Sequence, residues 1–154
     1  MFDDDRGLTT VVSSGIRHLE DGSAFGEEFV CTLRSSEAVY AGLLVAAVCE
    51  VVVFLGKGLE FGDTLELPGR ARDGSEISGV LASTHPCFAA EINYCLRPGA
   101  TEVAAGDVDL QLVTLIPVTG DEMAYVAENG GAALVDLFVE RRVDVLDLGR
   151  ASSV

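Results

Sequence analysis

A chain of 154 residues has room for one hydrophobic core and not for an independent second one. Of these residues 49% are apolar but only 6% aromatic, so the core should be aliphatic, and the composition excludes a disordered chain. A formal net charge of −15 and a pI near 4.2 argue against nucleic acid as a partner, because each contact to a phosphate backbone needs a cation.

Taken in chain order, Thr9 to Ser14 is short and β-branched and reads as a strand, with Gly15 to Asp21 turning toward a second. Between Glu28 and Leu33, Phe29, Cys31 and Leu33 alternate with Val30 and Thr32, as on a sheet with one face more buried. Ser35 and Ser36 offer an N-cap to an apolar helix from about Ser36 to Phe54, with Glu37 in its first turn. Apolar residues surround that helix almost completely, so it is expected to be covered on more than one side. Gly56, Gly58 and Gly62 punctuate a loop into a strand from Thr64 to Leu67, and "ARDG" turns it toward Ile77 to Leu81 as a hairpin. After His85-Pro86, "AEINYCL" alternates through Ile92, Tyr94 and Leu96 and reads as another strand.

Leu110 to Val118 is an apolar run of strand length, in which Pro117 lacks a ladder donor and so belongs near an end or an edge. Thr119 and Glu122 form a capping box that starts a helix, Asn129-Gly130 stops it, and a second short helix covers Ala132 to Phe138. The architecture expected is α+β: one domain with a mixed or antiparallel sheet, packed by the long apolar helix and a C-terminal helical segment.

The first residues, MFDDDR, are not basic-then-apolar, so a secretory signal is not expected, and Cys31, Cys49, Cys87 and Cys95 read as reduced thiols of a cytoplasmic protein. Ala38 to Gly56 barely reaches spanning length and carries Glu50, which favours a core helix over a membrane span.

Candidate chemistry is sparse. His85, Cys87 and Cys95 invite comparison with a zinc deaminase, but the second cysteine is too distant and the glutamate that chemistry needs is missing, so no metal is expected. "GKGLEFG" lacks the Gly-Lys-Ser/Thr ending of a phosphate loop and follows a helix rather than a strand. No Gly-x-Ser-x-Gly is present, and the other histidine, His18, lies in a predicted turn. No catalytic residue and no cofactor are therefore expected. The acidic runs are the remaining candidates, as a surface that attracts a basic protein: Asp3, Asp4, Asp5, Glu20, Asp21 and Glu27.

Two segments together resemble the suppressor-of-fused domain family. In "GLTTVVSSGIRHLEDGSAFGEEFVCTLR" the likeness lies at Ser23, Phe25, Gly26, Glu28 and Phe29. In "LQLVTLIPVTGDEMAYVAENGGAALVDLF" it lies at Pro117, Thr119, Glu122, Gly130, Leu134 and Leu137. The apolar helix and "FLGKGLEFGDTLEL" fit between them in order. The chain departs from the family pattern at Thr9 to Val12, where aromatic or histidine residues are usual, and at Glu27, where an apolar residue is usual.

The resemblance implies a suppressor-of-fused-like domain over residues 1–139, shortened at its N-terminus, followed by a tail over 140–154. It also implies binding rather than catalysis, since the family supplies no catalytic residues to carry over. Bacterial members look like immunity proteins that neutralise toxins by direct association, and the animal relative sequesters a transcription factor along a sheet edge. The expected partner is thus a protein, foremost a basic toxin domain, and neither nucleic acid nor membrane. The alternatives are a small-molecule enzyme using the acidic clusters and an accessory domain with a non-toxin partner.

Overall fold

The computed structural model describes residues 2–3, 7–16, 26–86, 89–104 and 106–154. Its seven strands are β1 (Phe2–Asp3), β2 (Leu8–Val12), β3 (Glu27–Arg34), β4 (Thr64–Glu66), β5 (Ile77–Ser83), β6 (Tyr94–Leu96) and β7 (Val108–Thr119). Three α-helices accompany them, α1 (Ala38–Leu55), α2 (Gly120–Asn129) and α3 (Gly131–Arg141), with short 3₁₀ turns at Ser35–Glu37 and Ala90–Asn93. One mixed sheet runs β1-β2-β3-β7-β5-β4, and β6 pairs with the first part of β7. All pairings are antiparallel except β3 with β7 at its centre, where Glu27 to Val30 lie beside Gln111 to Thr114.

The alternation of β7 divides the core. Val113 and Leu115 join Phe29, Cys31, Leu33, Val80 and Ala82 beneath α1, whereas Ile116 and Val118 join Leu81 beneath α2 and α3. Ile77 shares the α1 side with Val80 although strict alternation would separate them, and the register shift between Ile77 and Gly79 accounts for it. Gly79 is required there, because a Cβ would sit 2.2 Å from Met123 Sδ and 2.8 Å from Leu65 O. The result is a three-layer domain with α1 on one face of the sheet and the α2–α3 pair on the other.

Much of the expected layout is present. The strands at Leu8–Val12 and Glu27–Arg34 are adjacent, β4 and β5 form the hairpin, and β7 contains the whole apolar run. Pro117 lies beyond Thr114, where pairing with β3 stops, and its carbonyl accepts from Arg150 Nη2 at 2.8 Å. Thr119 and Glu122 make both bonds of the capping box: Glu122 N–H donates to Thr119 Oγ1 (3.2 Å) and Thr119 N–H to Glu122 Oε2 (2.9 Å).

Three expectations are corrected. Neither Ser35 nor Ser36 caps α1: both lie in the 3₁₀ turn, Glu37 stands at the N-cap without a side-chain capping bond, and Ser35 Oγ accepts from Thr9 Oγ1 instead. "AEINYCL" is half 3₁₀ turn, because Asn93 is buried and its Oδ1 accepts from His85 N–H at 2.9 Å, leaving Ile92 outward. And, among the described residues, α1 is covered on one side only. Its Ala41, Leu44, Val45, Val48 and Val52 face the sheet, while Val39, Leu43, Val53 and Phe54 are exposed.

After α3, residues 142–154 run back across the domain. Leu148 enters the core under α1, and the Ser75 hydroxyl donates to its carbonyl.

Candidate functional site

Four glutamates, Glu27, Glu28, Glu37 and Glu122, are buried, and each holds a connecting segment to the framework. Buried carboxylates are costly unless their oxygens find donors, so the partners explain their presence. Glu28 accepts from Ser13 Oγ (2.6 Å) and Gly15 N–H (2.5 Å), fixing the exit of β2, and Ser13 Oγ in turn accepts from Phe29 N–H (2.8 Å). Glu37 accepts from Arg72 Nη1 (2.5 Å) and from Leu148 N–H (3.3 Å), tying the start of α1 to the β4–β5 connection and to the last segment.

Glu122 is the most elaborately satisfied. Arg150 grips it with Nη1 to Oε1 (2.6 Å) and Nη2 to Oε2 (2.7 Å), and Ser153 adds bonds from N–H (3.0 Å) and Oγ (2.7 Å). Burial pushes this carboxyl up, but the bonds from Arg150, Thr119 and Ser153 outweigh it and leave it below its ordinary value. The guanidinium also lies 5.2 Å from the ring centroid of Phe138.

Glu27 is the outlier. It is 2% exposed, its Oε1 accepts from Leu59 N–H at 3.1 Å, and its Oε2 finds no hydrogen-bond partner among the described residues. Burial pushes its carboxyl up to about 7; the Leu59 bond opposes this and the charge of Asp63 reinforces it. An acidic surface contact was expected of Glu27, and the structure corrects this: the residue occupies an interior position.

Of the other residues expected at a partner surface, Asp3 lies on β1, the outermost strand of the sheet, paired with Thr9. Asp4, Asp5, Glu20 and Asp21 lie outside the described residues, as do His18 and Cys87. Of the six, the described residues thus place Asp3 and Glu27 alone.

No catalytic grouping assembles among the described side chains. His85 is buried with Nε2 3.0 Å from Thr32 Oγ1, and no three His, Cys, Asp or Glu residues among those described are placed to hold a metal. Cys31 lies in the core, where burial pushes its thiol up to about 12, far from a reactive thiolate. A cleft between the Phe61–Gly62 loop, the end of β5 and the start of α3 has Asp136 as its one ionisable lining group. A nucleophile with its base, or a convergent carboxylate pair, is what a hydrolytic site would need.

The geometry is that of an α+β sandwich whose buried glutamates hold connecting segments in place. The sequence matches the family model for the Suppressor of fused protein (SUFU) over residues 1–151, and the chain belongs to that family. Among solved structures it is similar to a SUFU homolog from Neisseria gonorrhoeae, with a TM-score of 0.76 and 20% identity over 100% of this chain and 75% of that one. The Sufu–Fu complex structure matches with a TM-score of 0.60 and 16% identity over 86% of this chain and 59% of that one. Drosophila Suppressor of Fused matches with a TM-score of 0.60 and 17% identity, over 84% of this chain and 32% of its own. Comparison with curated protein sequences finds no match. At these identities the structural likenesses establish the fold.

Sequence reasoning missed Arg150, Arg72 and the burial of the four glutamates. The capping box pointed to Glu122 through its local spacing, but nothing local signals a partner 28 residues away.

Proposed function

We propose that this chain is a non-catalytic, cytoplasmic protein-binding domain, an immunity protein that neutralises a bacterial toxin by direct association. The observation that carries the reading is its membership of the SUFU family, one relative of which has been solved in the Sufu–Fu complex. The charge of −15 suits a basic target, as a toxin acting on nucleic acid must be in order to hold phosphate. Asp3, Asp4, Asp5, Glu20 and Asp21 are the residues proposed to meet it, with Asp3 on an edge strand where a partner has access. Glu27 is left out because it is buried.

The test is to inspect the genes adjacent to this one and to co-express the chain with the product of any that encodes a toxin-like domain. Restored growth together with a stoichiometric complex of the purified pair is expected. Undiminished toxicity and no complex at micromolar concentrations would reject the immunity role and favour an accessory domain with a different partner.

A further inference from the structure

Helix α1 is the most apolar segment of the chain and one of the least covered. Within Ser35–Leu55 an 18-residue apolar window has a mean hydropathy of 2.4, yet only 28% of it is buried. With 3.6 residues per turn, positions 39, 43, 46, 50, 53 and 54 line one face, opposite the residues that meet the sheet. Val39 is 74% exposed, Leu43 58%, Val53 53% and Phe54 87%, with Leu55 at 61% on the overhanging end. An aromatic side chain such as Phe54 carries roughly 150–250 Å² and the four aliphatic ones less, so these five residues present on the order of 500 Å². That is toward the upper end for a patch on a monomer and more than half of the ~800 Å² each partner contributes to a standard interface.

We infer that this face of α1 is a self-association surface, on which two copies of the chain pair antiparallel through a two-fold axis at Ala46. An isologous contact must be complementary to itself, and the distribution of side-chain size along the stripe meets that condition. Small residues, Gly42, Ala46, Ala47 and Cys49, occupy the middle and allow close approach, while bulk is placed at both ends. With Ala46 opposite Ala46, Val39 faces Val53, Phe54 covers Ala38, and Glu50 lies beside Gly42, where its carboxylate can reach solvent.

The charge pattern favours a second copy over a membrane. Glu50 is the one charged residue in α1, and the helix has no Lys or Arg, which interfacial helices use to grip anionic lipid. A chain of −15 is moreover repelled by an anionic leaflet. The same charge opposes pairing of two copies, but that repulsion is screened over about 8 Å at physiological salt, whereas apolar contact is not.

Sedimentation equilibrium of the purified chain over a wide concentration range, at about 0.15 M and about 1 M salt, tests the inference. The expected mass rises from 16.2 kDa toward twice that value, with tighter association at the higher salt. Phe54→Asp and Leu43→Asp should each weaken the dimer by about tenfold or more, since each forces an unpaired charge into the contact. Their circular dichroism should match the parent, and so should their melting at concentrations where the parent is monomeric, because both positions are exposed. Ala46→Cys should form a dimeric disulfide on mild oxidation where the parent does not. A monomeric mass throughout at the higher salt, or a dimer indifferent to all three substitutions, would overturn the inference. Monomeric protein that sediments with phosphatidylcholine vesicles and loses that property in Phe54→Asp would overturn it in favour of a lipid surface.

Discussion

Replacing Glu27 with Gln isolates the energetic effect of a carboxyl in an interior position. Gln keeps an oxygen that can accept from Leu59 N–H, so the bond that holds the Gly56–Gly62 loop survives while the ionisation is removed. The carboxyl titrates at about 7 in the folded chain against an ordinary 4.5. Its folded value is raised, so the folded state holds a proton that the unfolded chain has released. Stability is therefore greatest below about 4.5, declines as pH rises toward 7, and levels off above it. At 1.36 kcal/mol per pH unit, this 2.5-unit interval corresponds to about 3 kcal/mol.

Glu27→Gln should thus unfold close to the parent at the acid end of the window and gain on it steadily, by up to about 3 kcal/mol near pH 8. Urea denaturation of both proteins at half-unit pH steps measures the difference, and titrations common to the two cancel in it. Two curves that run parallel from pH 5 to 8, or a variant less stable at pH 8, would show that Glu27 is not held neutral by its surroundings. Glu27→Leu, which removes the ionisable group altogether, should show the same flattened pH dependence.

The remaining predictions concern the clamps, the caps and the partner surface. Arg150→Met leaves Glu122 charged and buried without its cation and should cost on the order of 3–5 kcal/mol in urea unfolding, with much of the loss recovered in the double variant carrying Glu122→Gln. Because the folded value of Glu122 is depressed, the stability it contributes is present above about 4.5 and is lost as pH falls through that folded value, so the parent and Glu122→Gln should converge in acid. Thr119→Ala removes an N-cap oxygen and should cost about 1 kcal/mol, read from the unfolding midpoint. Gly131→Ala should destabilise by about 1–3 kcal/mol, because the new methyl would sit 2.5 Å from Gly62 Cα, backbone that cannot yield without moving the loop. Association with a basic toxin should slow as salt rises, and slow again when Asp3, Asp4, Asp5, Glu20 and Asp21 are neutralised together; a stopped-flow rate indifferent to both changes would remove the acidic surface from recognition.

What was legible in the sequence was what depends on near neighbours. Thr119 and Glu122 are three residues apart, Asn129-Gly130 ends a helix by its own geometry, and the β4–β5 hairpin is announced by its turn. The parallel pairing of β3 with β7 was not legible, because it joins segments more than eighty residues apart and alternation alone does not choose a partner strand. Glu27 was misread for a related reason. A charge beside another charge looks like surface, and the strand's periodicity could not show that both faces of β3 are covered at that end. The bare face of α1 was concealed by the helix's own hydrophobicity, which implied covering on more than one side where the structure supplies it on one.

The central pairing of Glu27 with Gln111 also has a consequence for the birth of the protein. Strand β3 is made 111 − 27 = 84 residues before its central neighbour, a delay of roughly 4 to 17 s at the usual pace of a ribosome, about 5–20 residues per second. Through that interval one margin of β3 stands without its ladder while α1 has already emerged, and the interior cannot close until Leu148 arrives to fill it. Nascent chains of this protein therefore pass through seconds of exposed strand and greasy helix, the state in which chaperone capture and aggregation compete.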